Sequence, residues 1–301
     1  MKGMQRRRFE GSLVAMVTPF RDGRVDEAKI RELVDYHVQN GTDGLVPCGT
    51  TGESPTLSHD EHKRVVDLVI EHAAGRIAVV AGTGSNSTQE AIDLTVHAAK
   101  SGADAALLVA PYYNKPTQQG LYEHYRAIAE SSDLPLIIYN IPGRTNVNVL
   151  PETLARLAAD CQTIVGVKEA SGNLEQMSQV ILLCGPDFIV LSGDDTLTLP
   201  LMAVGGRGVI SVIANFLAKE TAQMTHAAQD GDWRRVREMH FKLFPVAQAM
   251  FLETNPIPVK EAMVMVGMLP RAEYRLPMCP MSEANRARLR KVLIQAGLLK
   301  S

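Results

Sequence analysis

Gly102-Ala103-Asp104-Ala105-Ala106-Leu107-Leu108-Val109-Ala110-Pro111 carries the pattern that decides the fold. A glycine suits a helix stop, because it accepts the left-handed backbone that closes the last turn. A two-residue loop follows, then an apolar run that ends at proline. That run is continuous rather than alternating, as in a parallel strand covered on both faces. Gly41-Thr42-Asp43-Gly44 opens a second unit of the same kind.

Working outward, apolar β-rich runs recur at 13–18, 44–47, 77–81, 105–110, 136–139, 164–167, 188–191 and 209–213. Helical patterns fill the gaps. From Asp26 to Gln39, apolar residues at Ile30, Leu33, Val34 and Val38 keep helical spacing. Ser58-His59-Asp60-Glu61 reads as a capping box. Gly41, Gly75 and Gly102 end helices. Eight such units predict an α/β fold, a (β/α)8 TIM barrel, rather than an open doubly wound sheet. Beyond residue 217 the strand signal stops, and helices are expected around 232–250, 256–267 and 282–297. The expected division is a barrel over 1–217, then the last barrel helix and a helical extension over 218–301.

Composition narrows the function. Of 301 residues, 46% are hydrophobic and 21% charged, with a formal net charge of -2. That is the balance of a soluble globular protein. The one dense basic run is Arg6-Arg7-Arg8, read as a solvated tail, so no nucleic-acid partner is expected. No apolar stretch is long enough to span a membrane, and the N-terminal apolar run is too short for a signal-peptide core; a cytoplasmic protein is expected. Cys48, Cys161, Cys184 and Cys279 are scattered, without zinc-ligand or disulfide spacing.

In a TIM barrel the chemistry lies where strands end. Four such places are rich in functional groups: Cys48-Gly49-Thr50-Thr51-Gly52-Glu53, Pro111-Tyr112-Tyr113-Asn114-Lys115-Pro116, Tyr139-Asn140-Ile141-Pro142-Gly143-Arg144-Thr145, and Gly166-Val167-Lys168-Glu169-Ala170. Lys168 closes an apolar run, and desolvation there lowers a lysine pKa and frees a nucleophilic amine. The same placement suits a lysine that extends to solvent or pairs with Glu169. Tyr139, Tyr113 and Thr50 offer hydroxyls for proton transfer. Thr50-Thr51-Gly52 forms a turn suited to a carboxylate or carbonyl oxygen, and Arg144 could hold a second carboxylate. Other signals are weaker. Gly82-Thr83-Gly84-Ser85-Asn86-Ser87 lacks the third glycine of a dinucleotide loop. His59-Asp60-Glu61-His62 is not the metalloprotease pattern. Asp194-Asp195 reads as a loop with a helix cap, and Lys260 lies outside the strands.

The motifs GTTGE at 49–53, PYYNKP at 111–116, YNIPGRT at 139–145, GVKEASGN at 166–173, SGDD at 192–195, GVISVIAN at 208–215 and NPIPVK at 255–260 resemble the dihydrodipicolinate synthase family, in order and over nearly the whole chain. The resemblance implies a lyase of lysine and diaminopimelate biosynthesis. Such an enzyme condenses pyruvate with L-aspartate 4-semialdehyde to give 4-hydroxy-tetrahydrodipicolinate, without metal or cofactor. Lys168 matches the imine-forming lysine and Tyr139 the general acid/base. Thr50 and Tyr113 match the rest of the proton relay, Tyr113 reaching across a dimer interface. Thr51 and the backbone at Ile210 match the pyruvate-carboxylate site, and Arg144 the residue that receives the aldehyde's carboxylate. Family members are commonly homotetramers, each a dimer of dimers. In lysine-inhibited relatives an interface pocket matches Pro55, His59, Asn86, Glu90 and Tyr112. The same superfamily holds N-acetylneuraminate lyase and sugar-acid aldolases, but Thr50-Thr51 with Gly143-Arg144-Thr145 favours the synthase. A non-catalytic barrel that senses pyruvate or lysine is the remaining alternative.

Overall fold

Strands covered on both faces need apolar residues pointing both ways, and the eight runs supply them. The computed structural model describes residues 9–300; the Arg6-Arg7-Arg8 run lies outside them. The strands are β1 (Gly11–Ala15), a hairpin of β2 (Phe20–Arg21) and β3 (Arg24–Val25), β4 (Gly44–Val46), β5 (Ala78–Gly82), β6 (Ala105–Val109), β7 (Leu136–Asn140), β8 (Ile164–Glu169), β9 (Ile189–Ser192) and β10 (Gly208–Ser211). All except the hairpin close into one parallel barrel, from β1 beside β4 round to β10, which pairs back with β1. The hairpin has no counterpart among the expected elements.

Two strands, β1 and β10, end two or more residues before their apolar runs do, for a visible reason. After Ala15 the side chain of Asn215 takes over the ladder, accepting from the Val17 amide at 3.0 Å and donating to the Ala15 carbonyl at 2.8 Å. After Ser211 the amides of Val212 and Ile213 turn to the Asp195 carboxylate, at 2.9 and 3.2 Å. In both places a side chain replaces a strand as hydrogen-bond partner, so the run stays apolar while the strand stops.

Helices α1 (Glu27–Gln39), α2 (His59–Ala73), α3 (Thr88–Ser101), α4 (Gln118–Glu130), α5 (Pro142–Thr145), α6 (Pro151–Asp160), α7 (Leu174–Cys184), α8 (Thr198–Ala203) and α9 (Ala218–Gln229) follow the strands. Ser58 and Glu61 form the expected capping box at the start of α2. Gly102 caps α3 at φ 92°, and Asp104 then accepts from the Val79 amide at 2.8 Å. Three more helices, α10 (Trp233–Ala249), α11 (Ile257–Met265) and α12 (Glu283–Gln295), complete the chain. Among the described residues, no helix is long and apolar enough to cross a membrane.

The core has two shells. Leu13, Val46, Val80, Leu107, Ile137, Leu191 and Ile210 fill the barrel lumen. Leu45, Val79, Leu108, Ile138, Val167 and Val190 pack outward against the helices. The alternation follows from the pleat, and it sends Tyr139 and Lys168 inward.

Candidate active site

Tyr139 and Lys168 are register partners on β7 and β8. The Lys168 nitrogen lies 4.1 Å from the centre of the Tyr139 ring, and the lysine is only 5% exposed. Burial pulls its pKa down to about 7; the Asp195 carboxylate pulls the other way and the Arg144 guanidinium adds to the fall. Gly193 makes room for the lysine stem, since a Cβ there would lie 3.2 Å from Lys168 Cε and 2.5 Å from Ala170 Cβ. Glu169 does not pair with Lys168; it points to the other face of β8, where Asn140 and Gln176 donate to it.

Tyr139 is also buried, which pushes its phenol up to about 12 against the opposing effects of Arg144 and a hydrogen bond with Thr50. Thr50 and Thr51 sit in a tightly bent loop in which Cys48 and Glu53 both adopt left-handed backbone, at φ 54° each. That conformation is uncommon outside glycine and has to be held by its surroundings. The C-terminal helices hold it here. Lys260 forms a buried ion pair with Glu53 and donates to the Glu273 carbonyl at 2.9 Å. Lys260 is therefore engaged in structure rather than free as a rival nucleophile. The Asn255 amide donates to Thr51 Oγ1 at 2.9 Å, and the Asn255 carbonyl accepts from Arg144 at 3.3 Å. Ile210 lies on β10 opposite Leu13, with its side chain in the lumen core.

A cavity of about 360 Å³ opens beside this group. It is bounded by Thr50, Tyr139 and Arg144, and also by Pro55, His59, Glu90 and Tyr112. Members of both candidate sets therefore line one cavity, while Lys168, Thr51, Ile210 and Asn86 lie outside its lining. His59 Nε2 meets Glu90 at 2.6 Å, the Ser85 hydroxyl also bonds Glu90, and Asn86 donates to the Tyr112 carbonyl at 3.1 Å. Tyr113 is not brought to this group within the chain. It is 90% exposed and has left-handed backbone at φ 73°.

The matching family model is the dihydrodipicolinate synthetase family, over residues 8–296. The chain belongs to this family. It is 55% identical to the 4-hydroxy-tetrahydrodipicolinate synthase of Nitratidesulfovibrio vulgaris strain DP4 over 97% of this chain and 99% of that one. The enzyme of the same name from Thermodesulfovibrio yellowstonii is 54% identical, over 97% of this chain and 100% of that one. Among solved structures, the dihydrodipicolinate synthase from Aquifex aeolicus superposes with a TM-score of 0.95 at 51% identity, covering 97% of this chain and 100% of that one. The enzyme from Cyanidioschyzon merolae, with lysine bound, gives 0.94 at 43% identity, covering 97% and 99%.

In this dihydrodipicolinate synthetase family chain, three residues near the candidate groups have contacts to which the sequence reading assigns no site role: Asp195, read there as part of a loop with a helix cap, His62 and Asn255. Asp195 is buried, its carboxyl pushed upward by that burial, and it anchors the turn after β10. Its position at a barrel strand end was the available signal. His62 lines the cavity, and burial lowers its imidazole to about 4. Asn255 opens the NPIPVK motif, but its contacts to Thr51 and Arg144 are not legible locally, because those partners lie on distant loops.

Proposed function

We propose that this enzyme condenses pyruvate with L-aspartate 4-semialdehyde through a Schiff base on Lys168, giving 4-hydroxy-tetrahydrodipicolinate for lysine and diaminopimelate biosynthesis. The observation that carries the reading is the Lys168–Tyr139 pair: a buried amine brought down to about 7 beside a buried phenol raised to about 12. At neutral pH a useful share of the amine is unprotonated while the phenol keeps its proton. Neutral Lys168 attacks the ketone carbon of pyruvate. Tyr139 donates a proton to the departing hydroxyl of the carbinolamine, and water leaves to give the imine. The imine withdraws electrons, the Tyr139 phenolate left by the dehydration takes up a methyl proton, and the resulting enamine attacks the aldehyde carbon, whose oxygen takes the proton back to become a hydroxyl. The amine of the bound product then displaces Lys168 and closes the ring.

Thr50, through its hydrogen bond with Tyr139, supports a proton relay whose last member is the partner's Tyr113. The exposure of Tyr113 in a single chain supports that assignment; a homotetramer built as a dimer of dimers is what the family resemblance implies. Thr51 and the Ile210 backbone receive the pyruvate carboxylate, and Arg144 receives the carboxylate of the aldehyde. Pro55, His59, Asn86, Glu90 and Tyr112 form a feedback site for L-lysine, a reading supported by the lysine-bound relative. A soluble biosynthetic reaction is consistent with a cytoplasmic enzyme. The test is a coupled assay of turnover. Pyruvate with L-aspartate 4-semialdehyde should be consumed, and N-acetylneuraminate and 2-keto-3-deoxygluconate should not. Preferred cleavage of either sugar acid would overturn the substrate assignment.

A further inference from the structure

The chemistry faces the barrel lumen, but the next residues along the same strands face the other way. Lys168 pairs in register with Tyr139, and Glu169 pairs with Asn140. Successive strand side chains point to opposite faces, so the second pair lies on the outer side of β7 and β8, towards α7.

Glu169 is wholly buried, and its oxygens are held by neutral donors. Asn140 Nδ2 donates to Oε2 at 3.0 Å, Gln176 Nε2 donates to Oε2 at 3.1 Å, and the Ser171 amide donates to Oε1 at 2.8 Å. Asn148 closes the ring: its Oδ1 accepts from Asn140 at 2.8 Å, and its Nδ2 donates to Gln176 at 2.8 Å. Asn140 Oδ1 accepts from the Val149 amide at 3.0 Å. Four side chains from β7, the following loop, β8 and α7 thus form one satisfied network. A buried network of this kind specifies a single arrangement because any slip strands a polar group. The ladder between β7 and β8 is irregular at its other end, with a register shift between Leu136 and Ile137. Regular pairing from below therefore does not by itself set which residue stands opposite Lys168.

We infer that Glu169 is a positioning residue: its ring with Asn140, Asn148 and Gln176 locks the upper ends of β7 and β8 in the register that holds Lys168 against Tyr139. The inference rests on the assignment of Lys168 as the imine-forming residue. Glu169→Gln is the direct probe, because a carboxamide turns a donor towards neighbours that are themselves donors. Gln176→Glu in the same chain returns one carboxylate to the ring.

The experiment compares the full-length parent, Glu169→Gln and the double variant. It measures thermal melting, pyruvate KM, kcat and the rate of borohydride-trapped imine formation with pyruvate alone. A small displacement of a reacting pair costs rate steeply. The expected result is a folded Glu169→Gln with a pyruvate KM within about twofold of the parent, and imine formation and kcat both about tenfold slower or more. The double variant should recover most of that loss. Parent-like imine formation in folded Glu169→Gln overturns the inference, as does a change confined to the melting temperature. If Glu169→Gln does not fold, Gln176→Met removes one donor to Glu169, and unchanged imine formation there overturns the inference equally. A parent that traps no pyruvate at Lys168 sinks the catalytic assignment and this inference together. That outcome is distinct from a reactive parent and an equally reactive variant.

Discussion

Lys168 and Tyr139 stand side by side on adjacent strands, amine nitrogen 4.1 Å from the ring centre. Burial acts on both and moves them apart, the amine down and the phenol up, since it favours the neutral form of each. An amine brought down towards neutrality beside a phenol that keeps its proton results from one physical cause.

The first consequence is covalent. Borohydride added with pyruvate should raise the mass of the peptide bearing Lys168 by about 72 Da, one reduced pyruvate on an amine. Peptide mass spectrometry reads the site, and labelling of Lys260 or another lysine would refute the assignment.

Protonation gives the second. Imine formation should rise with pH and level off above about 7, where Lys168 has lost its proton. The same shift affects stability. The folded pKa of about 7 lies below the ordinary 10.5, so the unfolded chain binds more protons between those values and stability rises with pH there. Below pH 7 the burial cost is fully present. Lys168→Met should therefore stabilise the protein most at and below neutrality. Its advantage should shrink by at most about 1.4 kcal/mol per pH unit on the way to alkaline conditions. Chemical denaturation of both proteins across pH checks the sign.

Arg144 reaches the Asn255 carbonyl and borders the cavity beside Tyr139. Arg144→Ala should leave pyruvate imine formation nearly intact. It should cost kcat/KM for L-aspartate 4-semialdehyde about 1.5–3 kcal/mol, the value of a hydrogen bond to a charged group. Because Arg144 also lowers the Lys168 pKa, the pH profile should move upward. Unchanged kinetics at limiting aldehyde would remove the assigned role.

The buried Glu53–Lys260 pair ties the Thr50-Thr51 loop to α11. Lys260→Met leaves Glu53 charged and unpaired, and should cost about 3–5 kcal/mol of stability. Glu53→Gln added to it should regain much of that loss. Urea titrations of the single and double variants measure the coupling; simple additivity would show that the pair does not act as a unit.

His59 Nε2 lies 2.6 Å from Glu90 among the residues that line the cavity. L-Lysine should inhibit partially and without competing with pyruvate, since its ammonium would engage Glu90 away from Lys168. Glu90→Ala should abolish that response. Activity that stays flat in high lysine, with no heat in calorimetry, would show that the pocket does not bind it.

The sequence by itself determined the barrel and the place of Lys168 at a strand end. Eight apolar runs, the Ser58–Glu61 capping box and the Gly102 helix stop are local patterns. Helix and strand periodicities report neighbours only a few residues apart. Lys168 was legible because it ends such a run. Tertiary structure decided the support around it. Thr51 meets Asn255 across 204 residues of sequence, and Glu53 meets Lys260 across 207. Asp195 replaces a strand partner for the amides after β10, and Glu169 turns outward into a ring drawn from four separate segments. No spacing rule encodes such contacts, because they exist only once barrel closure brings the strand ends and the C-terminal helices together.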